Sequence, residues 1–129
     1  MPTVISVMLA VPDAAEATDW YERALGATQL WNLGSVVGFE LLGAQFFLAQ
    51  PERNNWSTPG EAGTRTVRVE VFTDDPDALI ARAGEHGATI EEPRDHQMPW
   101  GPHHQGGFVD PYGHLWLVGD HSPLVPHLS

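Results

Sequence analysis

"FVDPYGHLWLVGDH", Phe108 to His121, decides how the rest of the chain is read. Two short apolar runs flank Asp110-Pro111-Tyr112-Gly113, an arrangement of turn formers that predicts a β-hairpin. His114 lies just past the turn and His121 at the far end, so the pair could be a metal or catalytic site, or only the punctuation of the hairpin. Side chains alternate along a strand, which sets His114, Trp116 and Val118 on one face and Leu115 and Leu117 on the other.

The segments upstream of this hairpin repeat a pattern. "RTVRVEVF", Arg65 to Phe72, alternates with Val67, Val69 and Val71 on one face and Arg68, Glu70 and Phe72 on the other. A helix follows, with Asp75 as N-cap, Pro76 in the first turn, Leu79, Ile80 and Ala83 turned inward and Gly87 as its stop. "ATIEEP" reads as a strand and "RDHQMPWGPHH", Arg94 to His104, as a long loop. The first half carries the same order. "TVISVMLAV", Thr3 to Val11, is a β-branched strand, and Asp13 with Glu16 three residues on has capping-box spacing. Ala17, Trp20, Tyr21, Ala24 and Leu25 form the buried stripe of a helix that Gly26 ends. Strands at about 27–33, 36–42 and 45–49 follow, then a polar loop from Gln50 to Gly63. "GAT" at Gly26–Thr28 recurs at Gly87–Thr89, each time after a helix that began just beyond a strand. The chain is therefore read as two tandem β-α-β-β-β modules in one domain over 1–129: module one about 1–50, a linker at 51–64, module two about 65–120 and a tail at 121–129.

Composition narrows the function. The absence of Cys excludes disulfides, thiolate metal sites and cysteine nucleophiles. All six basic residues are Arg, so Schiff-base chemistry and a P-loop lysine are excluded. A formal charge of −11 argues against nucleic acid, which requires a positive face to displace counterions. No apolar run is long enough to span a membrane and no basic leader precedes an apolar stretch, so a cytoplasmic protein without membrane partners is expected. Five Trp in so short a chain point to recognition as well as packing.

The sequence resembles the vicinal oxygen chelate superfamily of glyoxalases, bleomycin resistance proteins and extradiol dioxygenases. The marks are Val11-Pro12-Asp13 leading into Trp20-Tyr21 and Leu25-Gly26-Ala27, then "DDPDALIARAGEHGAT", then "FVDPYGHLWLV". Asp110-Pro-x-Gly-His with Trp116 beyond it, and Trp100-Gly101 upstream, are similar to the PhnB-like branch. The resemblance implies an α+β fold in which two βαβββ modules form a curled mixed sheet around a cleft, completed in a homodimer. In metal-using members His, Glu or Gln ligands occupy cleft-facing strand positions. Carried over by motif, those positions are Ser6, Phe47, Arg68 and Leu117, with Val67 the alternative to Arg68 should the register slip by one. A divalent metal needs several converging N or O ligands, so no metal and no other cofactor is expected, and a glyoxalase I or dioxygenase mechanism is disfavoured.

By strand parity the cleft lining includes Ser6, Met8, Ala10, Gln45, Phe47, Ala49, Arg68, Glu70, Phe72, Leu115 and Leu117. That surface suits a flat, mostly hydrophobic ligand held by a few polar contacts. Trp56 and Trp100, in the two long loops, are expected either to close over it or to pack on the sheet edge, Trp20, Trp31 and Trp116 to join the core, with a dimer cleft the alternative for Trp31, and His103 to border the ligand surface. His103 and His104 are adjacent and point opposite ways on an extended segment, so they do not chelate one ion together. His114 is read as serving the turn and His86 as capping the second helix. Arg68 and Glu70 either form a same-face ion pair or contact ligand. The leading expectation is a metal-independent protein that sequesters an aromatic or hydrophobic small molecule such as an antibiotic. The alternatives are a glyoxalase-like lyase or isomerase with Glu70 as general base and a loop His as partner, and a scaffold protein.

Overall fold

The helix predicted after Asp13 forms as α1 (Ala14–Leu25). The Asp13 side chain accepts a hydrogen bond from the Glu16 N–H at 3.0 Å, and Gly26 closes the helix in the left-handed conformation at φ 75°. A cap of this kind contributes about 1 kcal/mol. The predicted stripe of Ala17, Trp20, Tyr21, Ala24 and Leu25 is buried. It packs on a sheet of β1 (Met8–Ala10), β2 (Thr28–Asn32), β3 (Val36–Leu41) and β4 (Ala44–Ala49). Tyr21 meets Phe39 and Phe46 edge-on at ring separations of 6.2 and 5.8 Å, and those two rings stack on each other at 5.3 Å. Each such pair adds about 0.5–1.5 kcal/mol beyond area burial.

The second half repeats the design. β5 (Arg68–Phe72), α3 (Pro76–Glu85), β6 (Thr89–Met98), β7 (Gly101–Val109) and β8 (Leu115–Gly119) follow a short α2 (Pro59–Ala62). The Asp75 side chain caps α3 by accepting the Ala78 N–H, and Pro76 occupies its first turn. Ile80 reaches the backbone of β7, where a side chain at Gly106 would lie 2.9 Å from the Ile80 methyl. Phe108 and Trp116 stack at 5.7 Å inside this core.

The strand orders are β1-β4-β3-β2 and β5-β8-β7-β6. In each sheet the first strand runs parallel to the last and the remaining pairs are antiparallel. The result is an α+β fold with two four-stranded mixed sheets, neither closed into a barrel. The computed structural model describes residues 1–52 and 55–124, and the chain divides into two compact units at Thr64–Arg65. Parts of the expected linker (53 and 54) and tail (125–129) lie outside the described residues. Among the described residues no helix is long and apolar enough to cross a membrane.

Three local expectations are corrected. The first strand is shorter than Thr3–Val11: only Met8–Ala10 pairs with β4, and Val4 and Ile5 are exposed. β-Branched composition favours a strand but supplies no ladder partner. The loop from Gln50 to Gly63 contains α2, whose N-cap Thr58 is buried and accepts the Glu61 N–H. Arg94 to His104 is not a loop. Its residues pair across a long β6–β7 hairpin that turns at Pro99 and Trp100, with Gly101 at φ 125°. β6 is an edge strand and its register shifts between Glu91 and Arg94, so Pro93 sits where a missing N–H costs least.

Candidate functional site

Each sheet has one face covered by its helix and one face turned away from it. In the first unit Phe39 and Phe46 face α1, so alternation sends Met8, Phe47, Gly38 and Trp31 to the opposite face. Trp31 stands directly across the ladder from Gly38. A Cβ at Gly38 would lie only 2.5–2.8 Å from three atoms of the indole ring. The glycine is thus a seat that lets the ring lie against the strand, 6.2 Å from the Phe47 ring, with Trp31 still 43% exposed. Met8 pairs with Phe47 across the parallel ladder, and the three side chains form one apolar surface. A bulge at Leu30, between Gln29 and Trp31, rotates the edge strand to place the indole there. Ser6 is exposed and lies ahead of β1 rather than within it. Trp56 is half-buried ahead of α2, and no ring contact joins it to Met8, Phe47 or Trp31 among the described residues.

In the second unit the uncovered face carries Arg68, Glu70 and Phe72 of β5 opposite Leu115, Leu117 and Gly119 of β8. The Arg68 Nε donates to Glu70 Oε2 at 3.2 Å. The Glu70 side chain is 36% exposed, so it is not the desolvated carboxyl that a general-base role in an apolar cleft requires. A pair this open contributes about 0–1 kcal/mol. An open hollow of about 290 Å³ lies at this end of the strands, lined by Arg65, Thr66, Val67, Arg68 and Leu115.

The other end of the same face holds a ring cluster that the sequence indicated only in part. His103 is on β7, not in a loop, and its side chain is 5% exposed. Its ring centroid lies 6.3 Å from Phe72 and 6.3 Å from Trp100. The ring occupies the space over Gly119, where a Cβ would fall 2.9 Å from His103 Cε1. Asp120, just beyond β8, brings Oδ1 to 3.3 Å from His103 Nδ1. Sequence reading named His103, Trp100 and Phe72 but missed Asp120 and the two glycine seats. The Pro99-Trp100-Gly101 turn signal could have exposed the hairpin that aligns them.

His104 points to the helix-covered side, as expected from its adjacency to His103. Its Nδ1 lies 2.8 Å from Asp95 and its Nε2 2.7 Å from Asp77 in the first turn of α3. With carboxylates at both nitrogens, both must carry protons, and the hydrogen bond to Asp95, then that to Asp77, holds the imidazole pKa above its ordinary value. In the turn the His114 backbone N–H donates to Asp110 Oδ1 at 3.0 Å, a contact that does not involve the imidazole. Asp110 Oδ1 also accepts the Tyr112 N–H at 2.9 Å, and Oδ2 accepts the Trp116 indole N–H at 3.0 Å. His86 is the C-cap of α3, with Nδ1 2.9 Å from the Arg82 carbonyl oxygen.

The positions to which the family resemblance carries metal ligands hold Ser6, Phe47, Arg68 and Leu117, a donor set with one weak ligand and a cation, which does not fit a divalent metal. No group of three or more His, Asp or Glu is arranged as a metal site among the described residues.

Sequence and structure comparisons agree with this architecture. The sequence profile of the Glyoxalase/Bleomycin resistance protein/Dioxygenase superfamily matches residues 3–118. The uncharacterized protein Mb0911c of Mycobacterium bovis is 30% identical over 126 residues, covering 89% of this chain and 81% of that protein. TioX from Micromonospora sp. ML1 superposes with a TM-score of 0.73 at 26% identity, covering 94% of this chain and 100% of TioX. The fosfomycin resistance protein FosX from Mesorhizobium loti shares the fold with a TM-score of 0.63 at 15% identity over 95% of each chain. The protein belongs to the glyoxalase/bleomycin resistance protein/dioxygenase superfamily.

Proposed function

We propose that this protein is a metal-independent binding protein of the cytoplasm that sequesters a planar, aromatic small molecule of antibiotic type in the clefts of a homodimer. The observation that carries this reading is aromatic side chains seated on glycines on the uncovered sheet faces: Trp31 on Gly38 beside Phe47, and His103 over Gly119 beside Phe72 and Trp100. Such surfaces are mostly apolar with few polar groups, the composition of small-molecule sites. A flat ligand against an indole gains about 0.5–1.5 kcal/mol per ring beyond the area it buries. The donor set argues for binding without metal chemistry, because Phe47, Arg68 and Leu117 stand where an ion would need His, Glu or Gln.

Tryptophan fluorescence tests the reading. Aromatic antibiotics at micromolar concentration are expected to quench it saturably, and Trp31→Ala or Trp100→Ala is expected to weaken the response. A flat response across a broad panel of planar aromatics would count against sequestration.

A further inference from the structure

We infer that His103 is the polar anchor of this face and that it selects aromatic ligands bearing a hydroxyl or N–H donor over those offering only an acceptor. The inference rests on the sequestration reading and names its ligand class.

The two ring nitrogens of His103 differ in their surroundings. Nδ1 is enclosed by protein and has no aligned hydrogen-bond partner. The polar atom facing it is Asp120 Oδ1, 3.3 Å away, an oxygen that already accepts the His104 N–H at 3.1 Å. A nitrogen lone pair facing a carboxylate at that range is repelled, whereas an N–H is attracted. The neutral imidazole therefore carries its proton on Nδ1, and Nε2 keeps its lone pair. Nε2 is not among the enclosed atoms and has no partner among the described residues. It lies 3.1 Å from where a Cβ at Gly119 would be, so only a glycine at that position leaves it uncovered.

The surroundings define the guest. Phe72 and Trp100 both neighbour the imidazole, each centred 6.3 Å from it, so an entering group meets aromatic surface near a single acceptor. An aromatic ring with an in-plane hydroxyl or N–H fits all three contacts. An ether or carbonyl in the same place sets two lone pairs against each other and leaves both unsatisfied. No bond is made or broken, and the proton stays shared between donor and Nε2.

Matched probes test this: 2-naphthol and 2-methoxynaphthalene, titrated against the intact protein by Trp fluorescence at about pH 8, below the ionisation of a naphthol much as of a tyrosine. Wild type is expected to favour the naphthol by about tenfold, the change that one net hydrogen bond produces. His103→Phe is expected to bring the two affinities together, and Gly119→Ala to do the same by pushing the imidazole aside. Nitrogen-15 NMR of wild-type protein is expected to show the Nδ1–H tautomer at His103, a readout independent of ligand and of any variant's folding. Equal affinities in wild type, or an Nε2–H tautomer, overturn the anchor and leave sequestration standing. Failure of both probes to bind, with the Nδ1–H tautomer in place, overturns the sequestration reading and the selectivity with it.

Discussion

Replacing Asp110 with Ala should destabilise the protein by about 3–5 kcal/mol, the usual cost of removing one partner from a buried charged network. Asp110 is 3% exposed and organises the turn between β7 and β8. Its carboxylate accepts the Tyr112 and His114 N–H groups at 2.9 and 3.0 Å and the Trp116 indole N–H at 3.0 Å. Tyr112 is partly exposed, so water replaces that acceptor. His114 and Trp116 are buried, which strands two donors at about 1–3 kcal/mol each. The backbone is already committed: the Asp110 N–H donates to the His114 carbonyl oxygen at 2.9 Å, and the Gly113 N–H to the Asp110 carbonyl oxygen at 3.1 Å. The chain therefore cannot swing the donors toward solvent without opening the hairpin. Asp110→Asn separates the contributions, since its amide oxygen can keep the two backbone donors while its NH₂ group faces the indole N–H. Its cost should be smaller, about 1.5–3 kcal/mol. Urea denaturation at neutral pH measures both, with near-ultraviolet circular dichroism reporting the Trp116 environment. A loss below about 1 kcal/mol for Asp110→Ala would refute the reasoning, because the donors would then have found other acceptors.

Further consequences follow from individual contacts. Gly38→Ala places a methyl 2.5 Å from the Trp31 ring and should lift the indole off the strand. The expected result is red-shifted, more exposed Trp emission, with a stability change of about 1–3 kcal/mol. Gly106→Ala drives a Cβ to within 2.7 Å of the Glu91 carbonyl oxygen and 2.9 Å of Ile80, and should cost about 3 kcal/mol by urea denaturation because backbone, not a flexible side chain, is in the way. The His104 clamp should make stability depend on pH. The folded imidazole is held above its value of 6.5 in the unfolded chain, so its contribution is complete below about pH 6.5 and is lost as pH rises through the raised folded value. Denaturation midpoints from pH 6 to 9 should fall in wild type relative to His104→Gln; parallel curves would remove the clamp from the account.

Much of the fold was readable because the signals were local. Asp13 and Asp75 cap helices, Gly26 and Gly87 follow them, and Asp110-Pro111-Tyr112-Gly113 turns a hairpin wherever strands flank it. The recurring "GAT" exposed the repeat that the identical strand orders now express. What was missed depends on partners distant in sequence. Thr3 to Val7 has strand composition, but a ladder needs a neighbour, and only Met8–Ala10 pairs with β4. Arg94 to His104 reads as loop because Pro and His are poor strand formers, yet β7 supplies a ladder along almost its whole length. Alternation groups Met8 with Phe47, and Arg68, Glu70 and Phe72 with Leu115 and Leu117, and the ladders set these groups on the faces turned away from the helices. It could not show that Gly38 and Gly119 are seats for Trp31 and His103, since a missing side chain has meaning only when the side chains that lie over it on neighbouring strands are known.

The central claim is that a planar aromatic guest is held without metal and released unchanged. Calorimetric titration of chelator-treated protein with aromatic antibiotics, with mass spectrometry of the ligand recovered afterwards, tests it most directly. The account predicts saturable micromolar binding that added zinc, nickel, manganese or iron leaves unaltered, and a ligand recovered at its original mass. Binding that appears only when one of those ions is restored, or a ligand recovered as product, would contradict it.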